Sequence, residues 1–266
     1  GESQLSGWLA PFGVAAISRA MEYSWHTAVS TAMTQIMSPY AYGPAYKNPL
    51  RDIVEKFNYD LVCGQDAPRL FVGATKVRDG KIKVFEGDEI GPDALLASAC
   101  LPTLFQAVDI LDPVTGRSEA YWDGGYTGNP ALFPLYTGNL PPDIVIININ
   151  PLERADLPKT PMEIQNRINE ISFNSSLLRE LRAIEFVQRL LDTGRIEEGQ
   201  MNRVYIHMMA GGALMSQLST ATKSVPNPAV ISALREAGRA SAAQFLSRDI
   251  DNVGKRSSVD MKTMFS

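Results

Sequence analysis

Cysteine and histidine are scarce in this sequence, which has two of each among its 266 residues. Cys63 and Cys100 are too few for the disulfide framework of a small secreted protein, and reduced thiols fit a cytoplasmic protein. A structural zinc site needs four clustered ligands, usually cysteine and histidine. Neither His26 nor His207 has metal-ligand spacing around it, and each is more typical of a structural residue, although counting alone does not exclude a Ser-His-Asp triad. The sequence therefore predicts no metal and no other cofactor.

Long apolar runs and an excess of positive charge are also missing. No stretch reaches the ~18 apolar residues of a membrane-spanning helix, so we expect no transmembrane span. The formal net charge of −4 gives no bulk attraction to nucleic acid. With 45% hydrophobic and 20% charged residues, the composition is that of an ordinary globular protein. Transient contact with a membrane surface stays open.

Alternating and uniformly apolar runs predict the strands. One hairpin is expected at 69–77 and 81–85 around Asp79-Gly80, and a second strand pair at 107–111 and 119–122. The almost uniformly apolar run 143–149 predicts a central strand covered on both faces, and 203–209 predicts a last strand.

Helical spacing of apolar residues predicts the helices. They are expected at 8–36, 49–56, 93–100, 161–191 and 228–246, and residues 172–176 offer a point at which the fourth can divide into two. The alternation of strands and helices favours a three-layer α/β domain.

One short run offers catalytic chemistry, namely Trp122-Asp123-Gly124-Gly125. A strand runs into an acidic residue, and glycine lets the backbone turn sharply beneath the carboxylate. Asp123 would then lie at the mouth of a sheet, where a carboxylate can act as a base or a ligand. The alternative is a strand-ending turn with an Asx-type hydrogen bond.

A second motif precedes this run at a specific spacing. It is a helix end of the form A-S-x-x-x-P-x-x-F, formed by Ala97, Ser98, Pro102 and Phe105. In the pairing of the two motifs the chain resembles the patatin-like phospholipases, lipid acyl hydrolases with a Ser–Asp dyad. The runs 148–151 and 169–174 resemble a bacterial subgroup of that family, and the resemblance extends over residues 48–260.

The resemblance implies a fold, an activity and a site. The fold would be α/β, a three-layer patatin-like fold with a central, mainly parallel sheet, forming one domain over residues 1–248 with a C-terminal tail at 249–266. The activity would be hydrolysis of lipid carboxylic esters in lipid degradation, with Asp123 as the catalytic residue and no cofactor. Lipid or another ester would be the partner, in the cytoplasm or peripherally at a membrane. No substrate-binding residue is assigned.

The nucleophile of that family is absent from these residues. It is a serine in G-x-S-x-G, on a sharp turn between strand and helix, and a glycine-rich loop ahead of it supplies oxyanion donors. Ser3 has no strand before it, and Ser118 lies at a hairpin turn with a strand after it. We therefore expect that the N-terminal strands and the serine lie upstream, and that the chain alone is inactive. The alternative is a non-catalytic lipid- or protein-binding module.

Overall fold

A computed structural model describes residues 13, 16–18, 20, 38–62, 64, 67–113, 115–136, 140–154, 156–197, 199–218 and 227–265. The predictions made for Ser3, His26, Cys63 and most of the 8–36 helix lie outside these residues. The described residues form a mixed α/β protein. Their contacts divide them into two compact units, here named the antiparallel unit (within Thr31–Pro134 and Ser175–Leu177) and the parallel unit (the rest).

The antiparallel unit contains a four-stranded sheet. Its strands are β1 (Phe71–Lys76), β2 (Ile82–Glu86), β3 (Val108–Leu111) and β4 (Ser118–Asp123), in the order β2-β1-β4-β3 with antiparallel neighbours. Both predicted strand pairs are confirmed. The first turns at Gly80, whose φ of +67° favours glycine.

Three short α-helices belong to this unit: α1 (Arg51–Val54), α2 (Tyr59–Val62) and α3 (Pro92–Ser98). Proline at the first position of α3 loses no hydrogen bond, since that N–H has no partner within a helix. Ala94, Leu96 and Ala97 of α3 are buried and join residues of β1, β2 and β4 in one hydrophobic core. The predicted helix at 93–100 is therefore confirmed.

The parallel unit contains strands β5 (Asp143–Asn148) and β6 (Tyr205–Ala210), paired in parallel. Ile144 and Ile146 of β5 are buried, whereas Val145 is 46% and Ile147 is 72% exposed. The prediction that both faces of this strand are covered is wrong, because one face is open. An apolar run shows that a segment forms a strand more reliably than it shows what covers each face.

The longest helix, α4 (Pro161–Asp192), begins with a capping box in which Thr160 and Glu163 bond each other's backbone N–H. It continues through residues 172–176, so the predicted division into two helices is not observed. Asn174 donates to the carbonyl of Pro151 at 2.9 Å, and the Ser176 hydroxyl accepts from the backbone of Asn129 at 2.9 Å. These polar side chains bond outside the helix and do not compete with its backbone.

The remaining α-helices are α5 (Gly212–Gln217), α6 (Pro228–Arg248) and α7 (Met261–Met264). The predicted helix at 228–246 is confirmed as α6, which Asn227 caps by accepting from the next two free N–H groups. Residues 249–266, predicted as a tail without periodicity, include α7, in which Met261 is buried. Among the described helices, none has the length and apolar character needed to cross a membrane.

Candidate functional site

Asp123 is the last residue of β4 and lies beside Ala74 of β1. Its carboxylate oxygen Oδ1 accepts a hydrogen bond of 2.7 Å from the backbone N–H of Gly125. The expected position at the end of a strand is confirmed. The Asx-type hydrogen bond, considered as an alternative, is present as well.

The backbone of Asp123 is held on both sides. Its N–H donates to the carbonyl of Cys100 at 2.8 Å, and its carbonyl accepts from the Thr75 hydroxyl at 2.8 Å. The Thr75 oxygen also lies 2.8 Å from the hydroxyl oxygen of Thr127. These bonds tie Asp123 to the end of α3, to β1 and to the following loop, so its backbone is held in place by its surroundings.

Gly124 is required by close packing. A Cβ atom there would lie 2.2 Å from the carbonyl oxygen of Gly73 and 2.6 Å from its carbonyl carbon. Positive φ is not the reason, because neither Gly124 nor Gly125 is among the glycines with positive φ. The glycine after the aspartate therefore lets β4 and its turn approach the backbone of β1.

Asp123 lines a cleft of about 290 Å³. Strand residues Phe71, Gly73 and Val84 contribute to it, together with Ser98 at the end of α3 and the loop from Asp123 to Ala131. Asp123 is the one charged residue in the described lining. The cleft around Asp123 is therefore largely uncharged.

Burial raises the pKa of Asp123 above its ordinary value, and the N–H of Gly125 opposes this shift by stabilising the carboxylate. Oδ2 has no hydrogen-bond partner in the described part of the chain. Asp123 is therefore a better base near neutral pH than an exposed aspartate, and one of its oxygens is available to accept a proton.

Cys100 lies next to Asp123 but does not offer a thiolate. Burial, followed by the negative charge of Asp123, raises the pKa of the Cys100 thiol to about 11. The Sγ atom donates to the carbonyl of Gln106 at 3.1 Å. A thiol that stays protonated at neutral pH is a weak nucleophile, and Cys100 is a buried member of the hydrophobic core.

Of the serines considered from sequence, Ser118 cannot reach Asp123. It begins β4 and Asp123 ends it, and at about 3.4 Å per residue the five-residue separation places them roughly 17 Å apart.

Sequence reasoning missed Ser98 as part of the site. It belongs to the A-S-x-x-x-P-x-x-F motif, but a helix end alone does not show which cleft it borders. Its hydroxyl makes no hydrogen bond to any described residue.

The parallel unit holds a second group of chemically capable side chains. His207 Nε2 lies 3.0 Å from Asp143 Oδ1, and His207 Nδ1 lies 3.0 Å from the Ser258 hydroxyl. These are the residue types of a triad, but His207 is 0% exposed. Asp143 also accepts from the N–H of Gly254 at 2.8 Å. Both ring nitrogens are used to join the strands to residues 254–258, as expected for a structural histidine.

A larger cleft of about 390 Å³ lies elsewhere in the antiparallel unit and includes Lys47, Arg51 and Asp93. Its cations already have partners: Arg51 pairs with Asp93 at 2.8 Å, and Lys47 pairs with Asp52 at 2.8 Å. No group of three or more metal-ligating side chains occurs among the described residues. The cleft beside Asp123 is therefore the better candidate for catalysis.

Comparison with protein families and with curated proteins identifies no relative. No family model matches this chain, and no curated protein matches it significantly. The resemblance to patatin-like phospholipases therefore depends on the motifs around Ser98 and Asp123 and on the runs 148–151 and 169–174.

Proposed function

We propose that this protein is a serine acyl hydrolase of the patatin-like type, which cleaves lipid carboxylic esters with Asp123 as the base. The observation that carries the proposal is a half-buried carboxylate with a raised pKa, lining an uncharged cleft. The proposal includes a three-layer patatin-like fold whose central sheet contains β5 and β6. It places the protein in the cytoplasm, in transient contact with a membrane surface when it takes up lipid.

The role of Asp123 follows from the chemistry of serine. A serine hydroxyl is a poor nucleophile until a base takes its proton. An aspartate with the ordinary pKa of about 3.9 is a weak base at neutral pH, and burial improves the match. The Gly125 N–H holds Oδ1, which leaves Oδ2 to accept the proton.

The reaction proceeds in two half-reactions. In the first, the serine oxygen bonds to the ester carbonyl carbon while Asp123 takes the hydroxyl proton, and the resulting oxyanion then expels the alcohol, which receives that proton. In the second, Asp123 takes a proton from water while the water oxygen bonds to the acyl carbon, and the bond from that carbon to the serine oxygen then breaks as Asp123 returns the proton to the serine. Backbone N–H groups aimed at the oxyanion would lower both barriers.

The test is ester hydrolysis by the natural polypeptide that contains these 266 residues, because this sequence has no G-x-S-x-G motif. Asp123→Asn keeps the shape and the bond from Gly125 but cannot accept a proton, and we expect kcat to fall by roughly 10²–10⁴-fold. Asp109→Asn is the matched control, since it removes the same charge from an exposed position in β3. It should leave kcat unchanged.

Two results would contradict the proposal. Wild-type turnover by Asp123→Asn would show that another group is the base. Absence of both hydrolysis and labelling by a fluorophosphonate, a reagent for activated serines, would favour the alternative, a non-catalytic module that binds lipid or a protein partner. The missing G-x-S-x-G motif is the observation that favours that alternative.

A further inference from the structure

We propose that Gly73 sets the length of the acyl chain that the cleft beside Asp123 accepts. The inference rests on the proposed function for its substrate. Binding of an alkyl chain in the cleft can nevertheless be measured without hydrolysis, so this inference and the proposed function can fail separately.

The floor of the cleft is one face of the β1–β2 hairpin. Gly73 lies directly opposite Val84, and opposed residues in antiparallel strands project from the same face. Phe71, two residues earlier in β1, shares that face because side chains alternate along a strand. All three line the cleft, whereas Val72 and Ala74 on the other face are buried in the core. Glycine thus leaves a gap between two apolar side chains.

The backbone at Gly73 would tolerate a side chain. A Cβ atom there would lie 3.6 Å from Ile82 Cδ1 and 4.0 Å from the carbonyl oxygen of Gly128, which are ordinary van der Waals distances. Gly73 is not among the glycines with positive φ. Nothing in the packing of the strand therefore demands glycine at this position, in contrast to Gly124. Its absent side chain instead leaves space in the cleft.

The charges around the cleft favour an uncharged occupant. Asp123 is the one charged residue in the described lining. Arg69 lies near the floor, 5.0 Å from the centre of the Phe71 ring, but it is paired with Glu86 at 3.0 Å. An anionic ligand would meet the carboxylate of Asp123, and the described residues of the lining offer no cation beside it. Repulsion between the two negative charges is strong where solvent screening is weak. The chemistry fits a neutral alkyl or acyl chain.

The experiment measures binding of butanol, hexanol, octanol and decanol to the 266-residue chain by ligand-observed NMR. Gly73→Ala and Gly73→Val should progressively weaken binding of the longer alcohols and spare butanol. Each methylene that the cleft no longer buries should cost about fourfold in affinity. Gly238→Val is the control, since it makes the same change at an exposed helical position with nothing within 4 Å, and it should bind all four alcohols like wild type.

A second arm tests the charge argument. Octanoate should bind more weakly than octanol at neutral pH, and Asp123→Asn should remove most of that difference. Equal or tighter binding of octanoate to wild type would overturn the assignment of a neutral occupant. Thermal unfolding would first show that Gly73→Ala and Gly73→Val are both folded. An unchanged order of alcohol affinities in both variants would then overturn the role of Gly73.

The outcomes separate this inference from the proposed function. If Gly73 variants change the relative affinities for the four alcohols but the natural polypeptide hydrolyses no ester, the cleft binds alkyl chains and only the hydrolase proposal fails. If hydrolysis requires Asp123 but the Gly73 variants keep the wild-type alcohol profile, the hydrolase proposal stands and the role of Gly73 is refuted.

Discussion

Gly124 and Gly73 lie in contact, yet substitution by alanine should have opposite effects on the free energy of unfolding at the two positions. At Gly124 a Cβ would lie 2.2 Å from the carbonyl oxygen of Gly73, 2.6 Å from its carbonyl carbon and 3.2 Å from the nitrogen of Ala74. All three are backbone atoms of a central strand, so no rotamer change can relieve the contact. Gly124→Ala must push β1 away from β4 or displace the turn that carries Asp123.

The magnitude follows from two competing effects. Overpacking costs about 1–3 kcal/mol, and we expect the upper end because the contact is with backbone. The smaller entropy of the unfolded alanine chain returns about 0.4–1 kcal/mol. Gly124→Ala should therefore lower the free energy of unfolding by about 2 kcal/mol. At Gly73, where the new Cβ meets only ordinary contacts, Gly73→Ala should raise it by about 0.5–1 kcal/mol.

Urea unfolding of both variants and wild type, monitored by circular dichroism, provides the measurement. The comparison is valid where the dependence on urea concentration is the same in all three proteins. If Gly124→Ala proves as stable as Gly73→Ala, the close approach of the turn after β4 to β1 does not exist, and the explanation for the glycine after Asp123 is refuted.

Three further predictions concern other residues. Burial raises the folded-state pKa of Asp123, so the stability that its neutral form contributes is present below the unfolded pKa and is lost as pH rises through the folded pKa. Asp123→Asn should therefore be more stable than wild type at neutral pH and lose this advantage below about pH 3. A difference in urea midpoint that does not change with pH would contradict this. Asp143→Ala leaves His207 Nε2 and the N–H of Gly254 without their acceptor, which should cost about 1–3 kcal/mol and speed amide exchange at residues 254–258; unchanged exchange would show that this network does not hold the segment. Ser98 lines the cleft, and Ser98→Ala should raise KM by roughly 3–10-fold, the range of one lost hydrogen bond to the substrate, and leave kcat unchanged. A loss of kcat as large as that of Asp123→Asn would instead make Ser98 the nucleophile.

Much of the local structure could be predicted because it depends on local chemistry. The hairpin around Gly80 follows from alternation and a turn residue that tolerates positive φ. Helix α3 follows from the helical spacing of its apolar residues, and the proline at its first position is compatible with a helix start. The position of Asp123 follows in the same way, since two successive glycines weaken a strand and favour a turn.

Features that depend on distant partners were not predictable. Helix α4 continues past Asn174 and Ser176 because their side chains bond to Pro151 and Asn129, far away in sequence. The same limit applies to His207, whose partners Asp143 and Ser258 lie 64 and 51 residues away. The absence of metal-ligand spacing around His207 favoured a structural role, but the sequence could not show which segments this residue joins. The position of Ser98 in the lining of the cleft was not predicted for a related reason, since packing of distant segments, and not spacing in the sequence, forms the cleft.

The Asx turn and the proposed role of Asp123 as a base, treated as alternatives from the sequence, are compatible with each other. The hydrogen bond from Gly125 stabilises the carboxylate and lowers its pKa, but burial has the larger effect and the net shift is upward. The turn therefore contributes position: it binds Oδ1 at 2.7 Å and orients Oδ2. A base that is both fixed and partly desolvated needs little reorganisation when it accepts a proton. The turn bond thus holds in place the carboxylate whose basicity burial has raised, and loss of either effect should weaken the base.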